Sequence, residues 1–334
     1  RRIEMEKFIV SVSPHIKTKD SCKKIMWAVV FSLVPAGIAG IFIFGLSAVK
    51  VIFVSLTSAI LTEAVIQKLR NKKITILDGS SFITGLLLAY NLPPNVPFWL
   101  PAVGSFFAVA IAKQAFGGLG HNIFNPALAG RAFLLASWPS YMTKWTPPRW
   151  QPDALTTATP LQILKEKLKT PSGWQIDTLT TATPLQIPSY LQLFLGDRAG
   201  CIGEVCSIAI ILGGIFLLWK GYIRWYTPFT YIFTVGFLSW IFMGEGLFKG
   251  DWLFFILTGG LLLGAFFMAT DYVTTPLTKK GKIIFGFGCG ILTFLIRKFG
   301  GYPEGVSYSI LIMNAFTPLI DRYTKTKKFG AKKQ

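Results

Sequence analysis

The chain has 334 residues, of which 52% are hydrophobic and only 15% charged, where a soluble domain carries about 25% charged residues. That composition excludes an ordinary soluble enzyme and points to an all-α polytopic membrane protein. The net charge of +19 does not imply nucleic-acid binding, because the lysines and arginines stand between apolar runs and at the termini, as membrane topology requires.

Residues 1–25 are basic and polar without an apolar core. They read as a cytoplasmic segment rather than a cleavable secretory signal. Ten helical spans follow, expected near 26–44, 48–69, 81–92, 98–116, 123–138, 203–219, 228–243, 252–270, 282–298 and 306–320. Several approach the roughly 17–20 residues that a bilayer crossing needs. The third span is short and ends in Asn91-Leu92-Pro93-Pro94, and the fifth follows the Gly- and Asn-rich Gly117–Pro126. Interrupted segments of this kind line sites in membrane proteins.

With the N-terminus inside, 24 of the 34 basic residues fall on the cytoplasmic side. The positive-inside rule therefore places both termini in the cytoplasm and the long 139–202 loop outside. The expected organisation is an N-terminal segment at 1–25, a five-helix half at 26–138, the external loop at 139–202, a second five-helix half at 203–320 and a basic tail at 321–334. Gly85-Leu86-Leu87-Leu88 recurs as Gly260-Leu261-Leu262-Leu263, and Gly117-Gly118 as Gly300-Gly301. Two halves of five spans must be inserted in opposite senses, which makes an inverted repeat whose interface hosts a ligand or conduit.

The loop holds the most specific pattern. LTTATPLQI occurs twice, at Leu155–Ile163 and Leu179–Ile187, each copy two residues after an aspartate, Asp153 and Asp177. The Asp-x-x-Thr-x-Ala-Thr spacing is of the kind that a flavin transferase modifies, leaving flavin mononucleotide (FMN) attached to a threonine through its phosphate. Small Ala158 and Ala182 leave room for the transferase. Pro160 and Pro184 favour an extended backbone at Thr159 and Thr183, presenting the hydroxyl.

Four cysteines, Cys22, Cys201, Cys206 and Cys289, form no CxxC pair, and two histidines, His15 and His121, are widely separated. No metal site is predicted, although Cys201 and Cys206 are close enough in sequence to pair or to share a cluster with another subunit. Glu63, Arg131 and Glu204 are candidates because ionisable groups inside a membrane are costly. Arg131 has Glu204, a flavin phosphate or a ring carbonyl as possible partners. Asp78 suits a helix cap. Asp78 and Asp271, in related places of the two halves, are candidates for an ion pathway. Asn122 and Asn125 suit either buried backbone groups or a flavin edge.

These features resemble a known family. Ser13-Pro14-His15, Asp78–Gly85, GGLGHNIFNPALAGR at Gly117–Arg131, DALTTATPL at Asp153–Leu161, LFLGDRAGCIGEV at Leu193–Val205 and Ala269-Thr270-Asp271 look like the D subunit of the Rnf complex, a ferredoxin:NAD+ oxidoreductase of bacterial and archaeal membranes. They are more distantly similar to the B subunit of the sodium-translocating NADH:quinone oxidoreductase. The resemblance implies covalent FMN on a loop threonine, a second non-covalent flavin such as riboflavin in the membrane region, and coupling of electron flow to Na+ or H+. It implies partner subunits, a flavin transferase for maturation and the bacterial or archaeal cytoplasmic membrane. The family pattern maps onto Thr159 and equally onto Thr183. Thr159 is preferred because its continuation Leu161–Lys165 looks like the family's, and because Lys165, Lys167 and Lys169 follow on an expected helix. The chain carries no nucleotide-binding glycine loop, so it is not catalytically complete alone. A urea-type solute channel, also built from inverted five-helix repeats, is the alternative reading, and it needs no flavin.

Overall fold

The computed structural model describes residues 20–150, 159–169, 188–244, 246–302 and 304–325, with the side chains of 165–169 left out. Among the described residues every regular element is helical. The elements are α1 (Cys22–Phe44), α2 (Leu46–Leu69), α3 (Ser80–Tyr90), α4 (Trp99–Val109), α5 (Pro126–Ser137), α6 (Pro139–Met142), α7 (Pro160–Lys169), α8 (Tyr190–Leu195), α9 (Ser207–Trp219), α10 (Tyr226–Phe242), α11 (Trp252–Leu257), α12 (Leu261–Leu263), α13 (Lys279–Phe299) and α14 (Val306–Tyr323). Two helices, α1 and α2, are long and apolar enough to cross a membrane by length and composition.

The helices are apolar on their outward faces as well as inside. Phe31, Ile38 and Phe42 of α1, Phe53 and Leu61 of α2, and Phe229 and Phe233 of α10 are all exposed. A helix hydrophobic all round is suited to lipid rather than water. Inward positions are small instead. An ideal Cβ built on Gly213 of α9 would lie 2.1 Å from the Ser32 carbonyl oxygen of α1. No side chain fits there, so glycine sets the close approach of these two helices. Without a hydrophobic drive inside lipid, such close packing is what holds helices together.

The two halves share one packing plan. In the first, α2 lies against α3 and α4, and α4 against α5; in the second, α10 lies against α11 and α13, and α13 against α14. The halves join through α1 on α9 and α5 on α14. Each half is also tied by buried hydroxyls. Ser55 Oγ donates to the Gly85 carbonyl at 2.7 Å and meets Ser105 Oγ at 2.8 Å. Tyr231 Oη meets Thr293 Oγ1 at 2.7 Å and Ser309 Oγ at 3.0 Å.

Two predicted spans differ from expectation. The span expected at 98–116 is α-helical only to Val109 and closes with a π turn at Ala110–Gln114. The span expected at 252–270 is broken. Thr258 is extended, Gly259 and Gly260 take φ of +69° and +67°, and the chain resumes as α12 and a π turn at Gly264–Met268. The physical reason is local, since consecutive left-handed residues end any α-helix, and glycine adopts that conformation readily. The remaining boundaries shift by up to four residues, as at Cys22 and Ser207. Ends of this kind are the least legible part of a sequence.

Candidate functional site

The described residues include two buried polar assemblies. The first surrounds Glu63 and Lys113. Glu63 sits on α2 and Lys113 on the π turn that follows α4. The extra residue of a π turn redirects side chains, and such turns are frequent at functional sites. Both residues are almost completely buried. Lys113 Nζ donates to Glu63 Oε1 and Oε2, each at 2.9 Å, and to Ser80 Oγ at 2.7 Å. Glu63 Oε1 also accepts from Gln114 Nε2 at 2.9 Å and Gln67 Nε2 at 3.1 Å. Ser80 Oγ in turn donates to Asp78 Oδ1 at 2.7 Å, and the same oxygen accepts from Ser80 N at 2.8 Å. Asp78 therefore caps the start of α3, as its position suggested, and it also ends a hydrogen-bonded chain leading to a buried ion pair.

Lys113 and Ser80 line a cleft between the halves, together with Asn122, Asn125, Thr270 and Asp271. The cleft measures about 800 Å³ with its open mouth counted. Asn125 Oδ1 accepts from Ala127 N and Leu128 N, capping α5, and Asn125 Nδ2 reaches the Met268 carbonyl of the second half at 3.4 Å. Asn122 Nδ2 donates to the Phe124 carbonyl at 3.1 Å. Asp271 accepts from Thr274 Oγ1 at 3.2 Å. Asn122, Asn125 and Asp271 thus share one cleft, as the sequence placed them, with Asp78 one hydrogen bond from its wall.

Arg131 does not join them. It belongs to the second assembly. Its guanidinium donates to Asn91 Oδ1 at 3.0 Å and Ser307 Oγ at 2.9 Å, and pairs with Glu304 Oε2. The ion-pair partner is Glu304 rather than Glu204, one of the possible partners in the sequence, because α14 packs on α5 and brings the residues before it alongside. Cys201 is buried, donates to the Asn91 carbonyl at 3.3 Å and is not bonded to Cys206. Cys201 Sγ and one oxygen each of Glu204 and Glu304 lie within 4.8 Å of one another. Glu204 Oε2 and Glu304 Oε1 have no hydrogen-bond partner among the described residues. Two further buried cations complete the assembly: Arg198 donates to the Glu204 carbonyl at 2.7 Å, and Arg297 reaches the broken end of α11.

Thr159 is two residues before Leu161, which lies beside Gly259 and Arg297 of this assembly. It is 4% exposed, where the extended-backbone argument expected a presented hydroxyl. Its Oγ1 accepts from Gln162 N at 3.3 Å, so it caps α7, with Pro160 as the first helical residue. Capping wins because a helix N-terminus has free N–H groups and Pro suits its first position. The helix expected to carry Lys165, Lys167 and Lys169 is present. Thr183, Asp153 and the second LTTATPLQI copy lie outside the described residues.

Lys113, Arg198, Arg297 and Glu304 were not recognised as site residues from the sequence. The expected topology counted Lys113 and Arg131 among the cytoplasmic charges and Arg198 and Arg297 among the external ones, yet all four are buried. The missed signal was each ionisable residue's place inside or at the edge of an apolar run.

Among the described residues, a helical bundle of apolar-faced helices, with a cleft between two similarly packed halves and buried charged side chains, defines a membrane protein rather than a soluble one. The chain belongs to the NQR2, RnfD, RnfE family, whose pattern matches residues 9–330. It is 50% identical over 334 residues to the D subunit of the proton-translocating ferredoxin:NAD(+) oxidoreductase complex of Clostridium ljungdahlii, covering 99% of each chain. It is 48% identical to the D subunit of the Na(+)-translocating ferredoxin:NAD(+) oxidoreductase complex of Acetobacterium woodii, covering 97% of this chain and 96% of that one. It is 36% identical to the D subunit of the ion-translocating oxidoreductase complex of Escherichia coli, covering 98% and 99% respectively.

Proposed function

We propose that this chain is the flavin-carrying membrane subunit of a complex that couples ferredoxin:NAD+ electron transfer to movement of Na+ or H+. The observation that carries this reading is the Asp153-x-x-Thr-x-Ala-Thr159 pattern in the sequence, with Leu161, two residues after Thr159, lying beside the second half's broken helix. Family membership and the names of the relatives favour it over a solute channel, which needs no flavin. Bound there, FMN would supply a redox centre that exchanges electrons with other subunits. This chain's residues supply the anchor hydroxyl, Thr159, and a bed of buried guanidiniums that suits an anionic group. The Asn122 and Asn125 amides would offer donors to a second, non-covalent flavin such as riboflavin in the cleft. A three-ring system needs the mouth to widen, and exposed Leu119 and Tyr272 are among its lining residues. Peptide mass spectrometry of residues 150–190, after expression with a flavin transferase, tests the reading. FMN mass on the peptide holding Thr159 is the expected result, and unmodified peptides at both threonines would overturn it.

The same reading has ten spans in two inverted halves, both termini cytoplasmic and residues 139–202 external. In a Cys22→Ser background, cysteine placed at exposed Thr143 should react with an impermeant thiol reagent in intact cells. Reaction only after lysis would reverse the orientation.

Ion movement belongs to the cleft end of the molecule. Moving one charge against 100 mV costs about 2.3 kcal/mol, so transport must be tied to a redox step. Asp78→Asn and Asp271→Asn remove charge with little change of volume. Each should lower ion transport by the assembled complex more than flavin content. Unchanged transport in both variants would place the path in another subunit.

A further inference from the structure

Between α9 and α10 the chain reads Trp219-Lys220-Gly221-Tyr222-Ile223-Arg224-Trp225-Tyr226. Aromatic residues interleaved with basic ones mark the level where lipid headgroups meet hydrocarbon. Beyond Trp225, α10 carries Phe229, Phe233 and Phe237 at four-residue spacing, which sets them on one face. Their rings stack along the helix, with centroids 6.1 and 5.7 Å apart and planes within 12° of parallel. They line an open groove of about 1330 Å³, counted with its open side. Leu218 of α9, Ile256 of α11 and Phe266 of the second π turn line it as well. The groove follows from the broken helix. In place of a continuous helix, the π turn packs against both α9 and α10 and brings Phe266 between them. A Cβ built on Gly214 of α9 would lie 2.7 Å from Phe266, and one on Gly236 of α10 would lie 2.9 Å from Ile256, so glycine lets both side chains sit deep.

The lining holds no charged, hydroxyl or amide side chain; its polar side-chain groups are the indole N–H of Trp225, Trp240 and Trp252. Such a surface suits hydrocarbon. Trp225 to Phe237 covers about 18 Å of helix at about 1.5 Å per residue, against about 15 Å for one leaflet's share of the hydrocarbon core. Charge gathers at the Trp225 end. Lys220 and Arg224 are exposed there, and Arg224 is near enough to Lys282 of α13 for their like charges to repel. Asp321 faces Lys282 as a partial counter-charge. Among the described residues none of these three cations forms an ion pair. Cations at the end of an apolar groove match a phosphate above an acyl chain, since a guanidinium binds phosphate through paired hydrogen bonds. A partner's membrane helix matches less well. In the topology proposed above this end is cytoplasmic, and the cytoplasmic ends of such helices are themselves rich in Lys and Arg.

We propose that this groove binds one anionic phospholipid, with an acyl chain along Phe229, Phe233 and Phe237 and the phosphate held by Lys220 and Arg224. The proposal is independent of where the flavin is attached.

The test is photo-crosslinking of the assembled complex in phosphatidylcholine nanodiscs. Two probes are compared in equal trace amounts, phosphatidylglycerol and phosphatidylcholine, each with a diazirine in its acyl chain, and labelled peptides are read by mass spectrometry. The phosphatidylglycerol probe should label residues 226–242 several-fold more than the phosphatidylcholine probe does, and more than it labels the exposed face of α1. Unlabelled phosphatidylglycerol should compete that label away. Arg224→Gln should lower it about fivefold, the share of one basic residue near a membrane surface, and leave phosphatidylcholine labelling unchanged. Ile232→Trp fills the groove and should lower labelling by both probes. Equal labelling of α10 by the two probes would overturn the proposal in favour of unselective surrounding lipid. Absence of label on α10 would overturn it in favour of a protein cover. Wild-type labelling in Arg224→Gln would reject the headgroup site. If that variant does not assemble, the two probes on the wild-type complex decide alone.

Discussion

Thr159→Val should eliminate FMN from the peptide that holds residue 159. The substitution keeps the β-branched shape and removes the one atom that can form the phosphoester. It also removes the hydroxyl that caps α7 through Gln162 N, which costs about 1 kcal/mol of helix stability. Thr159→Ser keeps an oxygen for both tasks and should restore flavin to the peptide. Thr183→Val should leave the Thr159 signal intact. Denaturation-resistant fluorescence in gels, followed by peptide mass, separates these outcomes. Full fluorescence in both Thr159→Val and the Thr159/Thr183 double variant would reject the loop as the attachment site. The buried position of Thr159 adds one expectation: the transferase must act while the segment stands away from α11 and Leu161 is not yet packed. Modification should therefore be slower when the transferase meets the assembled complex than when both are made together.

The second large effect is expected at the Glu63–Lys113 pair. Removing one partner of a buried ion pair leaves an uncompensated charge and costs about 3–5 kcal/mol. Lys113→Met should therefore lower thermal stability sharply, because Glu63 keeps two amide donors, from Gln67 and Gln114, but loses its only cation among the described residues. Glu63→Met should be similarly damaging, since among the described residues Lys113 would retain only Ser80 Oγ. The Glu63→Met/Lys113→Met double variant removes both charges and should recover much of the loss, as replacing a buried pair by apolar residues is often close to neutral. Thermal unfolding of the detergent-purified protein measures all three. A double variant as unstable as either single one would mean that the hydrogen-bond network through Ser80 and Gln114 matters more than the pair's charge balance.

Much of this protein is legible in its sequence. Apolar runs with charges between them define helices suited to lipid, because an unpaired backbone group in hydrocarbon is too costly for any open structure. The cleft residues Asn122, Asn125 and Asp271 were also legible, because Asn, Asp and Gly beside interrupted apolar segments mark helix ends that face a cavity. The duplicated LTTATPLQI string and its aspartates were visible at once, as identity over nine residues needs no fold to recognise it.

Only the tertiary structure decided which charges meet. Arg131 and Glu304 are 173 residues apart, and Glu63 and Lys113 are 50 apart. No local pattern pairs them; the packing of α5 on α14 and of α2 on the end of α4 does. The sequence showed two glycines at 259 and 260 but not that their left-handed backbone stops a membrane helix midway and opens its carbonyls to Arg297. It showed a threonine before a proline, for which an extended, presented hydroxyl was a fair expectation. The fold turned that hydroxyl inward as a helix cap, because the free N–H groups of α7 needed an acceptor there. Sequence by itself thus determined the class of protein. Contact between distant segments determined where charge is buried, since the cost of an ion depends on its surroundings rather than on its neighbours in the chain.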